Sequence, residues 1–195
     1  MIGRSHLVLG VACGLTAAAA GWVPLSWPIV IAAGLGALAP DLDTERSMLG
    51  CRMVWLSRPL SRMVGHRTVT HSFAVPIAAG WVSWHYLGQA ALDSALGAFL
   101  IGYVSHILAD MMTGGCWAFY PLSRNRLSLW PHAKAGSFRE YLLLVACLSL
   151  LGWFSYRCLV HEPRQEKLKF GHIPLIALSG PGEYEQQQNS AVMRS

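Results

Sequence analysis

Five stretches of this 195-residue chain run apolar and nearly free of charge: Leu7 to Val23, Pro28 to Ala39, Ser72 to Gly88, Ser94 to Met112 and Tyr141 to Val160. No other feature constrains the fold as strongly, because apolar runs of this length must be buried in protein or in lipid. Only 13% of the residues are charged, against about 25% in a typical soluble domain. Too little polar surface remains to wrap five such helices in water. The expected fold is all-α: a polytopic transmembrane bundle of four to five helices over residues 1–161. A polar tail over 162–195 follows, with a Glu-Gln-Gln-Gln-Asn-Ser run too poor in apolar residues to hold a fixed shape.

The local signals refine the spans. Pro28 to Ala39 is short for a hydrocarbon core of about 30 Å at about 1.5 Å per residue, unless it starts at Pro24. Pro76 belongs in a first helical turn, where its missing N–H costs little. Asp93 is expected to cap the fourth run. Arg4, the following apolar run and Ala17 to Ala20 resemble a signal peptide. The run lacks the leucine density of one, so it is expected to stay as the first helix and to keep His6.

Basic residues sort to one side. Arg4 precedes the first run. Arg46, Arg52, Arg58, Arg62 and Arg67 follow the second, and Arg124, Arg126, Lys134 and Arg139 follow the fourth. The two tight connections, Pro24 to Trp27 and Gly88 to Leu92, carry none. This asymmetry places the amino terminus and both long loops in the cytoplasm. A fifth span, Tyr141 to Val160, runs against the rule, since Arg157, Arg164, Lys167 and Lys169 then fall outside. The net charge of +5 is thus a topology signal, and no specific nucleic-acid binding is expected. The stretch with Arg52, Arg58 and Arg62 around Met53, Trp55, Leu56 and Leu60 reads as an amphipathic segment on the lipid surface. Five scattered cysteines, without a C-x-x-C pair, exclude a disulfide framework and a zinc ribbon.

Ionisable groups at membrane depth are costly and point to function. His6 precedes the first helix, Asp41 and Asp43 follow the second, and His66 and His71 precede the third. His106 and Asp110 lie in the last turns of the fourth, one helical turn apart on one face. Under the topology above, four helices deliver three carboxylates and four imidazoles to one layer at the cytoplasmic surface. Such a donor set suits Zn²⁺ first, with Mn²⁺ or Fe²⁺ as alternatives. Each residue alone has a bland explanation: the aspartates could cap a turn, and His106 could bond within the bundle. His85, among Trp81, Trp84 and Tyr86, reads as part of an aromatic interface belt. Arg67, between two candidate ligands, could clamp an anion or pair with an aspartate.

The set Pro40-Asp41-Leu42-Asp43, Leu49-Gly50, Trp55 with Ser57 and Pro59, Gly65-His66-Arg67, Thr70-His71-Ser72 and Gly102-Tyr103-x-Ser105-His106-x-x-x-Asp110 resembles the YdjM family over about residues 3 to 130. The family comprises multi-pass proteins of the bacterial inner membrane, described as predicted membrane-bound metal-dependent hydrolases. Thr68 departs from the small residue expected after His-Arg. The family is in turn distantly similar to zinc-dependent phospholipase C and P1-type nucleases, which share an H-x-x-x-D pair matched by His106 and Asp110. That resemblance implies a metal-dependent hydrolase acting on a phosphoester, phospholipid-like or lipid-linked, at the cytoplasmic face. For such a site Asp43 is expected as a carboxylate base and Arg67 as an orienting cation. Neither the free mature amino terminus nor the second His/acidic pair that those enzymes use is expected in this chain, so one or two ions are expected rather than three. The rival functions are a non-catalytic metal carrier and a membrane adaptor. A carrier would need ligands near the midplane and internal repeats, and the chain has neither.

Overall fold

The computed structural model describes residues 1–45, 47–64 and 69–161, and among these it is all-helical. Seven α-helices occur: α1 (Gly3–Ala19), α2 (Trp27–Gly36), α3 (Val54–Val64), α4 (Ala74–Leu87), α5 (Gln89–Leu92), α6 (Ala95–Thr113) and α7 (Phe138–His161). A 3-10 turn, Pro40–Asp43, follows α2. One isolated bridge joins Cys116 and Leu127. All five cysteines are free thiols.

Small residues set the centre. A Cβ placed on Gly102 of α6 would lie 2.0 Å from the Ala33 carbonyl of α2, and one on Gly36 would lie 2.0 Å from the Phe99 carbonyl. On α1, Gly10 and Gly14 face Ala37 and Ala33 in the same way. Helices that are apolar all round gain nothing from hydrophobicity towards each other in lipid, so they associate through backbone proximity at small-xxx-small stripes. The stripes draw α1, α2 and α6 together, with Ala33 and Ala98 fully buried between them.

α6 and α7 are long and apolar enough to cross a membrane. About half of the apolar window of α6 is buried in the bundle, whereas none of the α7 window is. Leu142, Val145, Leu150, Trp153 and Leu159 of α7 all stand exposed. Lipid is the solvent that suits such a surface. α1, with 17 residues, is at the short end of a full crossing, while α4 with 14 and α2 with 10 are shorter than one.

Two details depart from the sequence expectations. The α6 cap is Ser94, whose hydroxyl accepts from Leu96 N, while Asp93 takes the Gln89 side-chain amide. Gly88, at φ +75°, breaks the chain between α4 and the short α5. The basic segment forms α3, with Trp55 exposed and Ser57 buried, the latter donating to the Leu42 carbonyl at 2.7 Å. Pro76 sits in the first turn of α4, as expected.

The close approach at Gly102 is testable. Gly102→Ala should destabilise the bundle by about 1–3 kcal/mol through overpacking, read as a lower thermal midpoint in detergent. Gly80→Ala, whose new Cβ would meet only Leu100 Cδ1 at 3.6 Å, should be neutral or stabilising.

Candidate metal centre

The last two turns of α6 carry the centre of the site. His106 and Asp110 face inward, both buried, because Tyr103, Ile107 and Met111 on the neighbouring positions pack into the core. The Asp110 carboxylate is shared by several groups. Its Oδ1 accepts from the α-amino group of Met1 at 2.7 Å and lies 3.2 Å from His6 Nε2. Its Oδ2 lies 3.4 Å from His71 Nε2 and 3.6 Å from His106 Nε2. The Met1 amino group also donates to Thr113 Oγ1 at 2.7 Å.

The two imidazoles at the heart of the cluster are oriented from behind. His106 Nδ1 lies 2.6 Å from the Ala37 carbonyl at the end of α2. A carbonyl only accepts, so Nδ1 carries the proton and Nε2 of the neutral ring is bare. His71 is held through Thr70. The Thr70 hydroxyl donates to Asp43 Oδ2 at 2.8 Å, and its oxygen lies 3.1 Å from His71 Nδ1, which donates to it. The second Nε2 is thereby turned inward. The two Nε2 atoms face each other at 3.2 Å. Two further bonds fix the His71 segment: Tyr103 donates to the Thr70 carbonyl at 2.6 Å, and Phe73 N donates to the Ala118 carbonyl. Ser72 Oγ donates to the carbonyls of Ala118 and Tyr120.

Asp41 completes the arrangement from the 3-10 turn. Its Oδ1 lies 3.6 Å from His71 Nε2 and 3.8 Å from His106 Nε2. Its side chain is 17% exposed, whereas those of His6, His71, His106 and Asp110 are at most 4% exposed. Water therefore reaches the cluster at the Asp41 edge.

Among the described residues, two triads could each hold a cation: Asp41, His71 and His106, and His6, His106 and Asp110, each with donor atoms within 4.8 Å of one another. The donor spacings of 3.2–3.8 Å around His71 and His106 compare with about 3.3 Å expected between ligands on a tetrahedral zinc. His106 offers one free nitrogen, so the two triads compete for it. His6 lies stacked on His106 at 3.7 Å between ring centroids, and its buried Nδ1 has no hydrogen-bond partner. The residues present fit a divalent cation.

The site residues expected from sequence fall into three sets. His6, Asp41, His71, His106 and Asp110 come together within the cluster. Asp43 is fully buried on the Nδ1 side of His71, 3.8 Å from that nitrogen, and its Oδ1 accepts from Thr44. It backs the His71 ring and is not one of the grouped donors. His66 and Arg67 lie outside the described residues, as does Arg46. His85 stacks on Trp81 and meets Tyr86 edge-on, an aromatic belt away from the cluster. Sequence reasoning missed Thr70, Thr113, the Ala37 carbonyl and the fully buried Glu140. Glu140 accepts from Ile2 N at 3.0 Å and Gly136 N at 2.6 Å and so secures the start of α1.

A helical bundle with one wholly lipid-suited helix and a buried His/Asp cluster at the ends of its packed helices is a membrane protein with a potential metal centre. The chain belongs to the YdjM family: the pattern described as YdjM inner membrane protein matches residues 1–180. The match reaches well past residue 130, where the motif resemblance fades. Inner membrane protein YdjM of Escherichia coli (strain K12) is 34% identical over 164 residues, covering 78% of this chain and 81% of the relative. Uncharacterized protein YvsG of Bacillus subtilis (strain 168) is 32% identical over 164 residues, covering 83% of this chain and 98% of that one. No solved structure matches.

Electrostatics outside the spanning helices follow from this geometry. Burial opposes the charged form of His71, but the Asp110 and Asp41 carboxylates, with Asp43 behind them, outweigh it and push its pKa up from 6.5 to about 9. Burial works to raise Asp41, yet the His71 bond and the His106 and His6 imidazoles hold its carboxyl below the usual range. At neutral pH the metal-free cluster thus stores a proton on His71, beside the Asp41 and Asp110 carboxylates. A group with a raised folded pKa stabilises fully below its unfolded value and loses that contribution as pH climbs through the folded one. Chelator-treated protein should therefore lose thermal stability from about pH 6.5 to about pH 9. His71→Gln should flatten that slope, measured by thermal melts across the range.

Proposed function

We propose that the chain is a metal-dependent hydrolase that cuts a phosphoester at the cytoplasmic face of the membrane, with a phospholipid-like or lipid-linked substrate. The observation that carries this reading is the pair of inward-facing Nε2 atoms on His71 and His106, 3.2 Å apart and flanked by Asp41 and Asp110. A neutral bundle has no need of such a pair. The set of imidazoles and carboxylates suits Zn²⁺, with Mn²⁺ or Fe²⁺ as alternatives. When bound, such an ion supplies Lewis acidity and lowers the pKa of water towards neutrality.

The protein's own groups do the rest. His71, His106, Asp41 and Asp110 hold the ion, with His6 bracing Asp110 from below. The Asp41 edge, open to solvent, admits the substrate. Asp43, behind His71, accepts from the Thr70 hydroxyl, which accepts from His71 Nδ1, and through this relay the carboxylate orients the ring. Arg67, in the sequence between α3 and Thr70, orients the anionic group of the substrate. The cytoplasmic orientation is supported by the ten basic residues that accompany the amino terminus and the two long loops. Donors gathered at the end of α6, rather than at its middle, favour a surface enzyme over a carrier.

Elemental analysis of detergent-purified protein should find bound zinc, and His106→Ala and Asp110→Ala should lose it with helical content preserved. Hydrolysis of a phosphodiester or short-chain phospholipid should stop on chelation and resume with added zinc. Metal-free wild-type protein, or full metal retention by the double variant, would overturn the ligand assignment. Bound metal that supports liposome flux without hydrolysis would give the site to a carrier.

The Thr70 relay makes a second expectation. Thr70→Val should weaken zinc binding by about 10–100-fold, the range for groups that orient a ligating histidine, while Thr70→Ser should keep most of the affinity. Competition against a colorimetric chelator reads both.

A further inference from the structure

A trough of about 590 Å³, lined by none of the His/Asp cluster residues, lies where the chain enters α7. One wall is a single stripe of that helix: Arg139, Leu142, Leu143 and Ala146, at the i, i+3, i+4, i+7 spacing that aligns side chains on one face. The other wall comes from the preceding loop and includes Trp130 and His132. Apart from the arginine and the histidine the lining is apolar. Arg139 sits in the first turn of α7 and is exposed, as are Lys134 and Trp130 close by in sequence. The neighbouring acid does not neutralise it. Glu140 is fully buried and spends its carboxylate on Ile2 N and Gly136 N.

We infer that this trough seats one anionic phospholipid, with its phosphate on Arg139 and an acyl chain along Leu142, Leu143 and Ala146. The inference rests on α7 crossing the membrane and is independent of the hydrolase reading. The chemistry changes along the helix as a lipid does. A guanidinium that matches phosphate bidentately stands at the mouth. Below it the apolar stripe descends for about 10 Å, seven residues at about 1.5 Å each, into the half-bilayer depth of about 15 Å. Trp130, 85% exposed beside the mouth, has the amphipathic ring that settles at headgroup level. The cationic mouth selects net negative charge: Arg139 and Lys134 face outward, and neither has an ion pair among the described residues. A free phosphate would use the arginine but not the stripe, so a lipid is the occupant that uses both.

The test is lipid retention by the full chain in native mass spectrometry, with phosphatidylglycerol and phosphatidylethanolamine offered in equal amounts. One phosphatidylglycerol should stay bound in preference to the neutral lipid. Arg139→Gln should lower retention about tenfold, the scale of one charge-assisted hydrogen bond, and Ala146→Phe should lower it by filling the trough. Arg157→Gln, further along α7 where Arg157 lies over Trp153, should leave retention unchanged. Circular dichroism of each variant confirms that α7 still forms. Equal retention of the two lipids, or undiminished retention by both Arg139→Gln and Ala146→Phe, overturns the site. So does competition by glycerol phosphate at the affinity of the lipid, which would leave the apolar stripe without a role. A lipid-free dimer that Ala146→Phe dissociates would assign the trough to a second copy of the chain.

Discussion

The carboxylate of Asp110 is the contact on which the rest of this structure depends. One oxygen takes the Met1 amino group and faces His6; the other faces His71 and His106. Groups from α1, from the segment before α4 and from α6 itself thus converge on two atoms. A buried carboxylate is expensive unless its charge is met and its lone pairs are filled. Here the surrounding imidazoles and the amino group meet both demands. The cost of burying one acid fixes where three separate parts of the chain must end.

Convergence of that kind requires helices close enough for short side chains to touch. Asp and His reach only a few ångströms, so the backbones behind them cannot be held apart by leucines. Gly102 against Ala33, and Gly36 against Phe99, remove the side chains that would separate α2 from α6. The Ala37 carbonyl then arrives within 2.6 Å of His106. The small residues are usually read as a membrane packing motif. In this protein the same stripe also delivers a backbone acceptor to the site.

Much of this was legible in the sequence because periodicity and helix ends are local properties. His106-x-x-x-Asp110 declares one face of a helix, and Pro40-Asp41-Leu42-Asp43 declares a turn directly after an apolar run. The five-run pattern pointed to an all-helical membrane fold and to the layer where polar tips meet. What escaped detection was nonlocal or chemically plain. Thr70 is an ordinary threonine until Asp43 and His71 are seen on either side of it. The Ala37 carbonyl has no signature in a residue string. Glu140 lies within the first turn of an apolar helix, and its partner Ile2 is 138 residues away. Asp43 was paired with Asp41 by sequence proximity, but a 3-10 turn sends neighbouring side chains in different directions, so one meets the cluster and the other stands behind His71. Ser94 caps α6 in place of Asp93, because Asp93 ends α5 and takes the Gln89 amide.

The bond from His106 to the end of α2 has a further implication for motion. A ring whose rear nitrogen is bound to a backbone carbonyl, and whose face is stacked on His6 at 3.7 Å, cannot flip without abandoning both neighbours at once. Its sister, His71, is clasped by a hydroxyl that is itself anchored to an acid. Neither imidazole is a swinging gate. The cluster instead meets water through Asp41, whose side chain on the short 3-10 turn is 17% exposed.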